Sequence, residues 1–276
     1  MALCSMKELL SAAEKNGCAV GAFSVSSNEM ICGVIAAAEE RKTPVILQVA
    51  ECRLKTVPLH VLGAAMLAAA KRAAVPVAVH LDHGLTRVCI REALEMGFTS
   101  VMFDGSALPM EENIRITREV CEEAALFGAA VEGEVGSIGR TESGGECAAR
   151  CARPEDALRF LAATHADALA VAIGNAHGVY QGTPQLRFDI LESIRERSAA
   201  PLVLHGGTGI SDADFRHCIR LGIRKINIAT ANFHAAAEAA RGAQDYFEMS
   251  AKMREAARTV TGRHIDLFGT FEYRKE

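Results

Sequence analysis

The 276-residue sequence has no uninterrupted apolar run of the roughly 18 residues that a membrane-spanning helix needs, although half of its residues are hydrophobic. Its first stretch, MALCSMKELLSAAEKNG, lacks the apolar core of a secretory signal and has the pattern of an amphipathic helix. The formal net charge is only −4 and no basic stripe stands out, which argues against a nucleic-acid partner. We therefore expect a cytoplasmic protein with neither a membrane nor a nucleic acid as partner.

The sequence also lacks a disulfide framework. Its nine cysteines are odd in number and scattered, and most fall within helical or strand patterns, as expected for reduced thiols in the cytoplasm. Cys147 and Cys151 form the closest pair and could in principle bind a metal or form a disulfide. No second Cys/His pair completes a zinc spacing, so two loop cysteines without such a role are the simpler interpretation.

No linker, low-complexity tract or break in composition divides the chain, which predicts one domain, 1–276. Short β-like runs alternate eight times with amphipathic helical stretches, and several runs are apolar throughout, as in parallel strands covered on both faces. The runs are Cys18–Ser24, Pro44–Val49, Pro76–Leu81, Thr99–Phe103, Ala129–Val135, Ala168–Ile173, Pro201–Leu204 and Lys225–Ile228. The alternation predicts an α/β fold, a (β/α)8 TIM barrel, with an added C-terminal helix from about 244 to 261.

Polar side chains cluster where these runs end, which is where a (β/α)8 barrel carries its chemistry. The third run ends in HLDHG, the fourth is followed by Asp104, the fifth carries Glu132 and Glu134, and the sixth and seventh are followed by GNAHG and HGGTG. Groups so far apart in sequence would meet on one rim of the barrel. The sequence therefore predicts an active site at this rim.

Three of these residues, His83, His177 and His205, come from three different strand ends. Three histidines around an open position make a catalytic zinc site, because the fourth place stays free for water or substrate. A single histidine at such a place is more often a core or capping residue. Three of them, each next to a glycine, favour a metal site, while His80 could face either way.

Glycine-rich turns after the sixth and seventh runs indicate a phosphate site. Backbone N–H groups of the last loops and a helix N-terminus often bind phosphate in such barrels. Glycine also serves ordinary tight turns, so the coincidence with this location carries the argument. The candidate residues are Gly178, Gly206, Gly207, Thr208, Asn227 and Thr230.

A metal beside a phosphate-sized pocket suggests carbanion chemistry, in which a carboxyl group moves a proton. Asp82 is the candidate, with a hydrogen bond to a histidine as its alternative role. Glu142, in the long glycine-rich segment after the fifth run, is either a base carried by a mobile loop or part of a plain surface loop. Lys225 begins the eighth run, where we expect it to lie at the wrong end for a Schiff base.

Nearly end to end, the sequence resembles the class II, metal-dependent ketose-bisphosphate aldolases, within them the tagatose-bisphosphate-aldolase-like branch. HLDHG, GNAHG and HGGTG together are specific to that family. The resemblance implies Zn2+, replaceable by Co2+ or Mn2+, on the three histidines, and a phosphate site at the glycine-rich turns. It also implies an alternative or second metal position at Asp104 and Glu134, and a Na+ or K+ site around Gly178 and Gly206.

The implied activity is reversible cleavage of a phosphorylated ketose into dihydroxyacetone phosphate and an aldehyde through a metal-stabilised enediolate. Asp82 is implied as proton donor to the aldehyde oxygen and Glu142 as the base at C1. A small-molecule sugar phosphate is the implied partner, and a homodimer or homotetramer the implied assembly.

The sequence departs from the family pattern at Ser24, Ala50, Arg140 and Ala229, which puts fructose 1,6-bisphosphate in doubt as substrate. Two alternatives stay open. One is a non-catalytic sugar-phosphate-binding homologue, and the other is a metal-dependent epimerase or aldolase that uses a different donor.

Overall fold

The computed structural model describes residues 2–138, 150–180 and 182–273. Eight parallel strands pair in chain order, and the first pairs with the last to close the barrel. The strands are β1 Val20–Ser24, β2 Val45–Ala50, β3 Val77–Gly84, β4 Ser100–Phe103, β5 Ala130–Val135, β6 Ala168–Val171, β7 Leu202–Leu204 and β8 Ile223–Ile228. The predicted (β/α)8 barrel is confirmed.

Helices alternate with these strands, as a parallel barrel requires. Helix α1 precedes β1, α2 to α9 follow β1 to β8 in turn, and a 3-10 turn, Glu51–Arg53, follows β2. The helices are α1 Met6–Asn16, α2 Asn28–Arg41, α3 Leu59–Arg72, α4 Arg87–Met96, α5 Met110–Ala125, α6 Pro154–Thr164, α7 Phe188–Arg195, α8 Asp212–Arg220, α9 Thr230–Arg241 and α10 Tyr246–Phe268.

Helix α10 is the added C-terminal helix, and it packs against α2 and α9. It ends at Phe268 rather than near 261, because Ile265 and Phe268 are buried and hold its last turns against the barrel. Within the described ranges, no helix is both long and apolar enough to cross a membrane.

The amino end of the barrel interior is closed by apolar packing. Helix α1 is capped by Ser5, whose side chain accepts from the backbone of Lys7, and ends at Gly17 in the left-handed conformation. Its buried face packs into the barrel with small and β-branched side chains from the strands. This cluster comprises Met6, Leu9, Leu10, Ala13, Cys18, Val20, Ala22, Ile46, Ala78, Met102, Ala130, Ala168, Ala170 and Val203.

The other half of the interior is polar yet buried. The side chains there come from β1, β2, β3, β5 and β8 and from the loop after β7, and burial of such groups requires that they pair with one another. They are Ser24, Gln48, His80, Asp82, His83, Glu132, Glu134, His205, Lys225 and Asn227. This polar half opens onto the predicted rim.

Candidate active site

His83 enters the site through an irregularity in β3. Alternation along a strand would send His83 to the opposite face from Asp82. The pairing of β3 with β4 shifts register between Leu81 and Gly84, and His83 has a φ of +43°. A bulge with a left-handed residue re-aims a side chain, so Asp82 and His83 both serve the same pocket.

The three predicted histidines converge. Nε2 of His83 lies 3.2 Å from Nε2 of His177 and 2.9 Å from Nδ1 of His205. A tetrahedral zinc site with Zn–N bonds near 2.05 Å has N···N edges of about 3.3 Å. The donor set is therefore of the right type and spacing to hold a zinc ion with one position open.

A second group of possible ligands shares His83. Its Nδ1 lies 2.7 Å from Oδ2 of Asp104, and ligand atoms of His83, Asp104 and Glu134 all lie within 4.8 Å of one another. Ser106 fixes the other oxygen of Asp104 through its backbone N–H and its hydroxyl. The structure thus brings both predicted carboxylates next to the histidines.

Asp82 is held on both sides by amide groups. Nδ2 of Asn227 donates to its Oδ1 at 3.1 Å, and Nε2 of Gln48 donates to its Oδ2 at 3.1 Å. The same Gln48 amide also donates to Oγ of Ser24. Hydrogen bonds donated to a carboxylate favour its ionised form, so Asp82 is oriented and kept as an acceptor.

Within the polar half of the barrel interior, Glu132 bonds to His205 and Lys225. Its Oε1 lies 2.7 Å from Nε2 of His205, and its Oε2 accepts from Nζ of Lys225 at 2.8 Å. A carboxylate on the far nitrogen of a ligating histidine fixes the ring's orientation and tautomer. Glu132 therefore turns Nδ1 of His205 toward the other two histidines.

The prediction that Lys225 lies at the wrong end is wrong. It is the third residue of β8, and its fully buried ammonium reaches the polar layer, where it also donates to Oδ1 of Asn227 at 2.8 Å. A Schiff-base nucleophile must be an unprotonated amine, whereas this one is bonded to a carboxylate. A Schiff base is thus disfavoured by this pairing, not by the lysine's place in the strand.

His80 lies beneath the site and is not among the converging histidines. Its Nδ1 is 2.9 Å from Oγ of Ser100, and its Nε2 is 3.7 Å from Oε2 of Glu132 and has no hydrogen-bond partner among the described residues. Burial, reinforced by the charge of Lys225, lowers the pKa of His80 to about 3. The ring is thus a neutral part of the polar layer.

The electrostatics separate the carboxyl groups. Burial by itself would raise the pKa of Asp82, but the electrostatic influence of the neighbouring His83, His205 and Lys225 outweighs it and leaves that pKa below its ordinary value. Burial and the neighbouring Asp104 raise the pKa of Glu134 well above its usual range. Asp82 is therefore an anion at neutral pH and accepts a proton before it can donate one.

The predicted phosphate residues line one small cavity. Its wall includes Asp82 and His177 as well as all six of them: Gly178, Gly206, Gly207, Thr208, Asn227 and Thr230. Gly206 has a φ of +65°, and a Cβ there would lie 2.1 Å from the carbonyl oxygen of Ala176, so only glycine fits. Helix α9 begins at Thr230, which lines this cavity, and the N–H of Ala231 in its first turn donates to Oγ1 of Thr208 at 3.0 Å.

Sequence reasoning missed several groups that build the site. Gln48 donates to Asp82, and Lys225 donates to Asn227. The Tyr180 hydroxyl accepts from the Ala176 backbone N–H and donates to the Gly206 carbonyl. The spacing of Lys225 and Asn227, two polar residues that lie two positions apart in the otherwise apolar strand β8, is a signal from which Lys225 could have been found. The predictions for Arg140, Glu142 and Cys147 concern residues that lie outside the described ranges.

Comparison with known proteins decides the family. Residues 4–272 match the family model of class II fructose-bisphosphate aldolase. The chain belongs to this family. It is therefore an aldolase, an enzyme that cleaves or forms a carbon–carbon bond.

Relatives of this aldolase carry different substrate names. It is 43% identical to the sulfofructosephosphate aldolase of Alkalicoccus urumqiensis, covering 83% of this chain and 81% of that one. It is also 43% identical to the fructose-bisphosphate aldolase of Geobacillus stearothermophilus (87% and 85%) and 41% identical to the 6-phospho-5-dehydro-2-deoxy-D-gluconate aldolase of Halalkalibacterium halodurans (87% and 85%). Overall identity therefore does not single out a substrate.

The fold of this aldolase matches a solved structure closely. The crystal structure of the YdjI aldolase from Escherichia coli K12 superposes with a TM-score of 0.89 at 37% identity, covering 97% of this chain and 98% of that one. The likeness therefore extends over nearly the whole length of both chains.

Proposed function

We propose that this aldolase is zinc-dependent and reversibly cleaves a phosphorylated ketose into dihydroxyacetone phosphate and an aldehyde. The observation that carries the proposal is the position of Asp82, which lines the glycine-rich cavity together with the metal-site residue His177. A phosphate at the glycines would thus place the ketose carbonyl region beside the three histidines and a hydroxyl beside Asp82.

His83, His177 and His205 would hold the ion, and Asp104 and Glu134 would form an alternative or second position with His83. When bound there, Zn2+ would supply Lewis-acid polarisation of the ketose carbonyl, which would favour the negative charge that develops at that oxygen during cleavage. Co2+ or Mn2+ would suit the same ligands. A Na+ or K+ site around Gly178 and Gly206 remains part of the proposal.

Asp82 performs the proton transfer at the aldehyde end. In cleavage its carboxylate accepts the proton of the C4 hydroxyl as the C3–C4 bond breaks, the C4 oxygen becomes the aldehyde carbonyl, and the bonding pair moves toward C2. In condensation the protonated Asp82 donates to the aldehyde oxygen. The lowered pKa of Asp82 makes acceptance the first of these two roles.

Glu142 is proposed as the group that handles the C1 proton of dihydroxyacetone phosphate. It belongs to the glycine-rich sequence that follows β5, and the family resemblance is what supports this role. Because Asp82 and Glu142 act at different carbons, the two proton transfers can be measured separately.

The substrate is proposed to differ from fructose 1,6-bisphosphate. Ser24 bonds to Gln48 beside Asp82, Ala50 pairs in register with Asp82, and Ala229 lines the cavity. The family resemblance implies that the metal and proton-transfer residues are kept, whereas Ser24, Ala50 and Ala229 depart from its pattern. The proposal includes a cytoplasmic homodimer or homotetramer.

The first test uses dihydroxyacetone phosphate alone, so that it requires no knowledge of the aldehyde. The purified enzyme is incubated with it in D2O, and loss of one C1 proton is followed by NMR with and without a strong chelator. Stereospecific, chelator-sensitive exchange supports the proposal. Absence of exchange in fully metallated enzyme would assign a different donor to this site.

A second test identifies the ketose. The panel contains fructose 1,6-bisphosphate, tagatose 1,6-bisphosphate and the substrates named for the sulfofructosephosphate and 6-phospho-5-dehydro-2-deoxy-D-gluconate aldolases. We expect a substrate other than fructose 1,6-bisphosphate to have the highest kcat/KM. If fructose 1,6-bisphosphate had the highest kcat/KM, Ser24, Ala50 and Ala229 would not determine a different substrate specificity.

A further inference from the structure

Lys225 joins two parts of the site that serve different purposes. Its ammonium is fully buried and donates to Glu132 Oε2 and to Asn227 Oδ1, each at 2.8 Å. Glu132 contacts His205 of the metal site, whereas Asn227 contacts Asp82. One cation therefore lies between the metal-binding and proton-transferring groups.

The hydrogen-bonding groups of Lys225 and Asp82 determine the orientation of the Asn227 amide between them. An ammonium can only donate and a carboxylate can only accept, while an amide offers one oxygen and one NH2. Between Lys225 and Asp82, Asn227 therefore has one favourable orientation, with its oxygen on the lysine and its NH2 on the carboxylate. The flipped amide would set two acceptors against each other on one side and two donors on the other.

We propose that Lys225 is a positioning residue for carbon–carbon bond cleavage: it fixes the amide of Asn227, which in turn orients Asp82. Gln48 holds the second oxygen of Asp82 but is not bonded to Lys225, so the lysine controls one of the two amide contacts. The inference rests on the proposed role of Asp82 at the aldehyde oxygen.

The contact with Glu132 must be separated from the contact with Asn227. Lys225→Met alone leaves a buried carboxylate unpaired, which would disturb His205 and the fold as well as Asn227. Glu132→Gln combined with Lys225→Met removes both charges and keeps an amide oxygen that can accept from His205. This double variant is the main test, and it remains informative if the single variant does not fold.

The test compares two rates in enzyme loaded with zinc. The first is cleavage of the panel ketose that the wild-type enzyme cleaves fastest, and the second is C1 proton exchange of dihydroxyacetone phosphate in D2O. Glu132→Gln alone is the reference for both rates, because it changes the partner of His205 in the same way as the double variant does. Relative to that reference, we expect the double variant to lose roughly 10–100-fold in kcat for cleavage, as positioning groups typically cost, with KM little changed. Its exchange rate and zinc content should stay within about twofold of those of Glu132→Gln.

A double-mutant cycle tests whether the lysine acts through Asp82. Adding Lys225→Met to a variant that already carries Asp82→Ala and Glu132→Gln should lower cleavage by no more than about twofold further. The proposal would be overturned if the cleavage losses caused by Lys225→Met and by Asp82→Ala multiplied. Wild-type cleavage in the double variant would also overturn it, as would an equal loss of cleavage and of C1 exchange. Full cleavage by Asp82→Ala itself would instead refute the proposed role of Asp82.

Lys7→Met is the matched control. Lys7 also pairs with a carboxylate at 2.8 Å, that of Asp167, but on the outside of the molecule. Loss of this ion pair should change neither rate. A cleavage loss in Lys7→Met as large as that in the Lys225 variants would assign both effects to general loss of ion pairs.

Discussion

Three strands show how differently the two ends of this barrel are built. On β3 and β5, and from β7 into the loop that follows it, the inward positions change within two residues, from Ala78 to His80, from Ala130 to Glu132 and from Val203 to His205. The first of each pair belongs to the apolar cluster under α1, and the second to the polar layer under the rim.

The comparison teaches that stability and chemistry are divided along the barrel axis. The amino end gains from apolar burial, which needs only fitting shapes. The carboxyl end buries charges and amides that must satisfy one another, and it leaves imidazole nitrogens facing each other for a ligand to use. Substitutions at the two ends should therefore fail in different assays.

The largest effect is expected from His205→Ala at the carboxyl end. It removes one of the three proposed zinc ligands, so the enzyme should lose zinc and turnover should fall by roughly 10³-fold or more. Metal content by elemental analysis and activity with added zinc are the measurements. The exposed His60 of α3 offers the control His60→Ala, and full zinc occupancy in His205→Ala would contradict the ligand assignment.

Asp82→Ala should come next, with a different signature. General acid–base groups typically contribute about 10²–10⁴-fold, so cleavage should fall by that factor while zinc stays bound. Steady-state cleavage and metal content are measured on the same preparation. Unchanged turnover would exclude Asp82 from proton transfer.

At the amino end, Leu10→Ala should reverse the pattern. Leu10 is fully buried in the cluster under α1, and truncating a core leucine typically costs about 2–5 kcal/mol of unfolding free energy. Denaturant unfolding measures the loss, and kcat at a temperature where the variant is folded should be unchanged. Leu126→Ala, at an 83% exposed position, is the control and should change stability by less than about 0.5 kcal/mol.

The smallest effect concerns Glu14 on α1, which accepts from Arg224 at 2.6 Å and also pairs with Arg195. Burial would raise its pKa, but the two guanidinium groups hold it below the ordinary value. The pair therefore stabilises the fold above the unfolded-state pKa near 4.3, and this stabilisation is lost as pH falls through the lower folded-state pKa.

Glu14→Gln should accordingly cost about 1 kcal/mol at pH 7 and flatten the acid limb of a stability-versus-pH curve. Unfolding free energies from pH 7 down to pH 3 provide the curve. Glu155→Gln, which breaks an exposed 3.6 Å pair with Arg197, should leave the curve unchanged. If the acid limb of the stability-versus-pH curve had the same slope in Glu14→Gln as in the wild type, the ion pairs of Glu14 would not stabilise the fold.

Much of the site was predictable because a parallel barrel collects strand ends on one rim. In a barrel of eight parallel strands, a polar residue at the carboxyl end of each strand lies at the same rim. His83, His177 and His205 could therefore be grouped without coordinates. The glycines of HGGTG were predictable for the same reason. Relatives at about 40% identity then agree on aldolase chemistry while differing in substrate.

The sequence by itself determined the alternation of strands and helices, the rim that carries the chemistry and the residues gathered there, because periodicity and position in the chain are local properties. Only the tertiary structure decided which nitrogen or oxygen faces which partner. The left-handed backbone at His83 turns its side chain into the same pocket as that of Asp82. The buried ammonium of Lys225 donates hydrogen bonds to both Glu132 and Asn227. Such choices depend on groups from distant strands satisfying one another away from water, which no local pattern contains.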